Sequence, residues 1–367
     1  MATAASQERE SNSIVENPDR NCVGGPTTAT NPQQSPLDIS GIPESSNRRF
    51  LELRLLHNFT IQTSATFPFT HDPSTRTLWA DSVPSLALSH PSLLYALLSI
   101  SALHLLKVKQ QDIRLRDAHP AYLRLAAQSH RQGVNYIDAE NVDVACFTSV
   151  LIIINLYAGL QDREIELSYN PPMQWLRVSN GLRNMFHTLG MQPLQDNPGA
   201  AVNALIKSAS SLSDPHALLK GGSLPEFSSL LRGRISHERY DGLNGTEGIN
   251  EEHEDLDDPE TQEAYNITVA YIGTIYLAIK AGEHEMEICR RLVAFAVLIP
   301  NKMIASIEEK RPRALVILAH YFALSGQLTK MWWIGNGPQQ EVSKIQQYLP
   351  QEWQGLMRWP LQMSNIT

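Results

Sequence analysis

Three stretches of this chain are apolar at nearly every position: SLLYALLSISALHLLK (92–107), VACFTSVLIIINLYAGL (144–160) and ALVILAHYFAL (314–324). A helix that is apolar all round has no face to give to water, so it belongs in the middle of a large helical assembly or in a membrane. The second stretch is the longest, but Thr148, Ser149 and Asn155 interrupt it, and it is too short to span a bilayer comfortably. No membrane span is therefore expected. β-Branched residues at 150–154 would also permit a strand, yet the length and the lack of alternation favour a helix.

Amphipathic helices are predicted around these three. Leu51, Leu55 and Phe59 recur four apart. Pro91 suits a first helical turn, with Ser89 or His90 as its cap. A helix around Pro120 carries Tyr122, Leu125, Ala126 and Val134, and Asn141 can cap the stretch that follows. Asn170-Pro171-Pro172 opens a helix through Trp175, Leu176, Leu182, Met185 and Leu189. Asp258-Pro259-Glu260 combines a capping acid, proline at the first position and an acid at the positive helix end. The helix it starts presents Tyr265, Val269, Ile272, Tyr276 and Ile279, and EICRRLVAFAVLIP with Ile304 and Ile307 continues the pattern.

The expectation is an all-α fold: one multi-helix domain of nine to eleven helices over 48–367. Residues 1–47, rich in Ser, Asn, Pro, Thr and Gly, cannot bury enough surface to offset their ordering entropy, so a disordered, linker-like tail is expected. The pattern weakens between 192 and 258, where residues 247–260 hold eight acidic side chains and no Lys or Arg.

The formal charge of −8 argues against a chain built mainly to grip nucleic acid. Cys22, Cys146 and Cys289 are far apart and show no metal-ligand spacing, so they read as reduced packing residues of an intracellular protein. The first 30 residues lack a secretory signal, and the sequons at Asn58, Asn244, Asn266 and Asn365 then read as chance matches.

Catalytic patterns fail on inspection. His284-Glu285 begins a zinc-protease motif, but position 288 is Ile, and the pair reads as an exposed polar helix start. KGGSLPEF (220–227) lacks the Lys-Ser/Thr pair of a phosphate loop. Gly335-Asn336-Gly337 follows a helix and reads as its stop. His57, His90, His104 and His320 sit at unrelated spacings and read as hydrogen-bonded core or capping residues. Cys146 and Cys289 have no histidine at helical spacing. EEKRPR (308–313) reads as a solvated helix junction, and with Arg232 and Arg234 falls short of a nucleic-acid stripe. No catalytic residue, metal or cofactor is expected, and the chain reads as a non-enzyme. Trp332 and Trp333 carry on the order of 150–250 Å² each. Side by side they must pack, line a pocket or meet a partner.

SHPSLLYALLSISALHL (89–105) resembles a conserved block of fungal zinc-cluster transcription factors of the sterol uptake control type. LELRLLHNFTIQTSATF (51–67) is similar to the helix opening that family's regulatory domain. RPRALVILAHYFAL…MWWIGN with YLPQEWQGLMRWP (348–360) resembles its closing signature. The blocks stand in the family's order across roughly 50–360. The resemblance implies a nuclear transcriptional regulator with an all-helical regulatory domain, controlling metabolic or secondary-metabolite genes. In sterol-responsive members a lipid lies near a C-terminal glycine loop; the matching residues here are Trp332, Trp333, Gly335 and Gly337, the candidate contacts for an apolar ligand. The departure is the zinc cluster: one cysteine, Cys22, precedes the helical region, and residues 1–47 hold more acids than arginines and no lysine. Strong direct DNA binding is therefore not expected, and the implied partners are a full-length zinc-cluster factor or a second copy of the chain. A zinc-cluster exon upstream, or a cytosolic lipid-binding protein or enzyme on an apolar substrate, are the alternatives.

Overall fold

The computed structural model describes residues 45–366 apart from 69, 71, 134–136, 139, 164–167, 190–200, 204–223, 233–255 and 257, with backbone alone at 186–189. The expected tail lies, but for its last three residues, outside the described residues, as do Cys22, Val134 and most of the acidic loop. The first helix opens at Ser46, capped by the Ser45 hydroxyl, which accepts from Arg48 N at 3.2 Å.

The described residues form thirteen α-helices and no strand. They are α1 (Ser46–Asn58), α2 (Pro73–Thr77), α3 (Val83–Ala87), α4 (Pro91–Val108), α5 (Ile113–Gly133), α6 (Val142–Ala158) and α7 (Met173–Leu189). After them come α8 (Pro259–Lys280), α9 (Glu285–Leu298), α10 (Asn301–Glu308), α11 (Pro312–Ser325), α12 (Gly337–Tyr348) and α13 (Gln354–Met363). The all-helical expectation holds, but the number exceeds nine to eleven. The surplus includes α2 and α3, five residues each, too short to leave a periodic trace.

The three all-round apolar stretches are the centre of the packing. α4 lies against both α5 and α6, and α11 lies against α8, α12 and α13. Every residue of α11 from Arg313 to Ser325 is buried. By length and composition, 91–108 and 142–162 could each cross a bilayer, but 56% and 78% of them respectively is buried inside the protein. Their apolarity is accounted for by helix neighbours.

The predicted helix starts are only partly of the expected kind. Asp258 caps α8 through Glu260 N at 3.3 Å and is held by the Thr261 hydroxyl at 2.6 Å and Lys302 at 2.9 Å. Those hydrogen bonds lower its carboxyl pKa to about 2. His284 caps α9, its Nδ1 accepting from Met286 N at 3.2 Å, which fits the polar helix start read from His284-Glu285. His90 precedes Pro91 at the start of α4 but makes no side-chain cap bond. Asn141 does not cap α6 with its side chain; the carboxamide oxygen accepts from Asp138 N at 3.0 Å and closes the preceding turn.

A wide helical turn at Phe59–Thr63 continues α1 and leads into a short turn at Ser64–Thr66. It places Thr63 against His104 of α4, hydroxyl to Nδ1 at 2.9 Å. Asn58 is buried in the same knot, donating to Thr63 Oγ1 and Ser101 Oγ at 3.0 Å each. A sequon asparagine held this way is a packing residue.

Candidate functional site

Beyond α11 the chain makes a tight turn at 331–336 before α12 begins. The Met331 carbonyl accepts from Ile334 N at 2.9 Å and Gly335 N at 3.0 Å, and Gly335 has φ +49°. That left-handed conformation suits glycine. A Cβ on Gly335 would also stand 2.2 Å from Gln161 Oε1, and one on Gly337 would stand 3.1 Å from Gln161 N. Gly335-Asn336-Gly337 is therefore not the stop of α11, which ends at Ser325. It is a turn pressed against 160–161 that starts α12, with Gly337 as its first residue.

Both tryptophans of this turn reach back to the short turn after α1. Trp332 donates its indole N–H to Thr66 Oγ1 at 2.9 Å and stacks on His104, centroids 4.5 Å apart. Trp333 donates to the Thr66 carbonyl at 3.2 Å and meets Tyr157 edge-on at 5.9 Å. Trp333 is 1% exposed, whereas Trp332 is half-buried. The void that Trp333 shares with Tyr157, Trp175 and Tyr321 holds about 10 Å³. That is the room of one water at most.

Gln161 joins this turn to α4. Its Nε2 donates to the Trp332 carbonyl at 3.0 Å and to the Ala158 carbonyl at 3.3 Å, and its Oε1 accepts from Lys107 Nζ at 3.2 Å. Sequence reasoning singled out neither residue. Glu341 of α12 was missed too. It is fully buried and held by Arg163 Nη1 at 3.0 Å, Tyr169 OH at 3.0 Å and Lys344 Nζ at 3.4 Å. Burial and the facing carboxylate push the Tyr169 phenol well above its ordinary range. The i,i+3 pair Glu341–Lys344 looks in sequence like a surface pair.

Two hollows that share His119 form the lobes of a candidate cleft, one of them bordered by Lys107. One lobe, about 530 Å³, is lined by Leu103, Leu106, Lys107, Arg116, His119 and Asp162 among others. The second, about 320 Å³, includes His119, Leu123, Leu156, Leu160, Pro172 and Trp175. His119 belongs to both. Its Nε2 lies 3.0 Å from Asn155 Oδ1, so the proton sits on Nε2 and Nδ1 is the ring's acceptor. Ser99 donates to the His119 carbonyl at 3.0 Å. Burial lowers the pKa of His119, which favours the neutral ring.

The remaining candidates divide between core and surface. His320 is buried, its Nδ1–H donating to the Val316 carbonyl at 2.8 Å, and it stacks on Trp359 with centroids 5.0 Å apart. Phe227, from a short helical turn at Pro225–Leu231, meets His320, Tyr276 and Trp359 edge-on. His57 is exposed, contrary to the core or capping role expected of it, and its neighbour Thr60 bonds its backbone carbonyl only. Arg313 contradicts the solvated-junction reading: it is 2% exposed, donates to the Leu230 carbonyl at 2.7 Å and the Arg232 carbonyl at 3.1 Å, and lies 5.2 Å from the Trp353 ring. It pins the 225–231 turn to α11. Cys146 and Cys289 are buried free thiols, and burial pushes that of Cys289 up to about 12. Among the described residues, no three His, Cys, Asp or Glu side chains come together as a metal site would need.

The family described as fungal specific transcription factor domain matches residues 54–264. The chain is 33% identical over 299 residues to the Zn(2)-C6 fungal-type transcription factor afumD of Aspergillus fumigatus, covering 81% of this chain and 73% of that protein. It is 26% identical over 334 residues to a Zn(2)-C6 fungal-type transcription factor of Gibberella zeae, covering 87% of this chain and 62% of the relative. The matched span runs from within α1 into α8 and includes both walls of the cleft. This chain belongs to the fungal-specific transcription factor domain family.

Proposed function

We propose that this chain is the regulatory part of a fungal transcriptional regulator and that it acts in the nucleus through a protein partner. The observation that carries the reading is the family match over 54–264, together with relatives that are themselves named transcription factors. The partner would be a zinc-cluster factor or a second copy of the chain. The chain's acidic balance and the single cysteine before α1 favour that route over DNA contact by these residues themselves. Metabolic or secondary-metabolite genes are the targets the resemblance favours.

Trp332, Trp333, Gly335 and Gly337 take the role of a signal-responsive turn. Filled as it is, the space beside Trp333 would admit an apolar ligand only after the turn opened. Opening it would break two indole bonds to Thr66 and one bond to Gln161, and would part Trp332 from His104 and Trp333 from Tyr157.

A tethered reporter tests the proposal. The chain is fused to a heterologous DNA-binding module in a fungal host whose reporter carries that module's site. A several-fold change in reporter expression, with the protein in the nucleus, is expected. An unchanged reporter with the fusion expressed and nuclear would overturn it.

A further inference from the structure

The two lobes that meet at His119 differ in the chemistry of their walls. One lobe presents Lys107 and Arg116 with Leu103 and Leu106; its one carboxylate is Asp162. The other is mainly apolar, walled by Leu123, Leu156, Leu160, Pro172 and Trp175, with Asn155 and Gln174 as its neutral polar members. The volumes, about 530 and 320 Å³, fall within the range of small-molecule sites.

We propose that this cleft binds a small amphipathic carboxylate, with its apolar or aromatic body against Leu156 and Trp175 and its anionic end at Lys107 and Arg116. Two cations against one carboxylate leave a single positive charge, which suits one carboxylate better than a phosphate dianion. Arg163 also borders the apolar lobe, but its guanidinium is turned to Glu341 at 3.0 Å. A wholly apolar ligand would desolvate Lys107 and Arg116 without replacing their water.

Lys107 and Gln161 give the cleft a polar link to the turn, beside the apolar one that Trp175 and Leu160 supply. Lys107 donates to Gln161, and Gln161 both holds the Trp332 carbonyl and fills the space a side chain on Gly335 would need. An anion that draws Lys107 away frees Gln161 Oε1 and loosens the seat of residues 331–337. This link rests on the regulatory reading above; the binding does not.

Calorimetric titration of the full chain with naphthylacetate, its neutral analogue naphthylethanol, and acetate tests the site. Naphthylacetate should saturate at one per chain. Naphthylethanol, and naphthylacetate with Lys107→Met, should bind at least about tenfold more weakly, and acetate should give no measurable heat. Lys107 is half-buried, so the variant is expected to fold. Leu156→Trp gives a second reading, filling the apolar lobe and abolishing binding while Lys107 stays in place. Failure of naphthylacetate to bind, equal affinity for the acid and the alcohol, wild-type affinity in Lys107→Met, or acetate binding as well as naphthylacetate would each overturn the site. Amide exchange reads the link separately: naphthylacetate should raise exchange at 331–337 in the wild type and not in Gln161→Ala. Binding without that change leaves the site and removes the link. Absence of binding removes the site and leaves the tethered reporter to decide the regulatory reading.

Discussion

At the scale of single residues, the least replaceable positions are the polar ones inside the core. Glu341 balances Arg163 and Lys344 while fully buried, so removing its charge strands two cations in a poorly solvated place. Glu341→Gln is expected to cost about 3 kcal/mol in a urea titration, and Glu341→Asp less. Gly335→Ala meets two penalties, a positive φ and Gln161 Oε1 at 2.2 Å from the new Cβ. A loss of about 1–2 kcal/mol is expected, with Gln161→Ala in the same chain relieving the steric share. His320 gives the fold a pH dependence. Burial holds its pKa down to about 4, against an ordinary 6.5. As pH falls below 6.5 the unfolded chain takes up a proton that the folded ring refuses. Stability from this ring is complete above pH 6.5 and is lost between there and about pH 4. His130, lowered to about 4 by burial, adds to the same slope. Urea midpoints measured at pH 7 and pH 5 should fall with pH, and His320→Gln should flatten part of the fall. That two adjacent tryptophans had to be covered was legible in the sequence. Thr66 as the partner of both was not, because 266 positions separate Thr66 from Trp332. Glu341 and Arg313 were illegible for a related reason: a charged residue beside others of opposite sign reads as surface, and only tertiary neighbours show it enclosed.

Among elements, all-round apolarity was the dependable signal. It placed α4, α6 and α11 at the centre without knowledge of their neighbours, because such helices, once a membrane span is set aside, escape water only inside the fold. Helix starts were legible where the cap is local, as at Asp258 and His284. They were misread at Asn141, whose side chain had a competing partner in the turn before it. The turn at Pro225–Leu231 left no periodic trace, yet Phe227 fills a box of Tyr276, His320 and Trp359, and Arg313 clamps its end. Phe227→Ala is expected to lower stability by about 3–5 kcal/mol. Phe227→Leu should recover part of that loss, a difference readable in thermal unfolding.

For the whole molecule, the helical class and the family were legible from three ordered blocks, while the cleft was not. Its walls come from α4, α5, the end of α6 and the start of α7, and no single segment bears a ligand motif. Gln161 touches Lys107 of the cleft and Trp332 of the turn, so the polar part of any signal between them would pass through that side chain. Genome-wide transcript profiling of a strain lacking this chain, with and without its reintroduction, asks whether the chain changes transcription. A limited set of genes should shift several-fold and return with the wild-type chain. A profile that deletion leaves unchanged under every growth condition in which the chain is expressed would rule out a regulatory role.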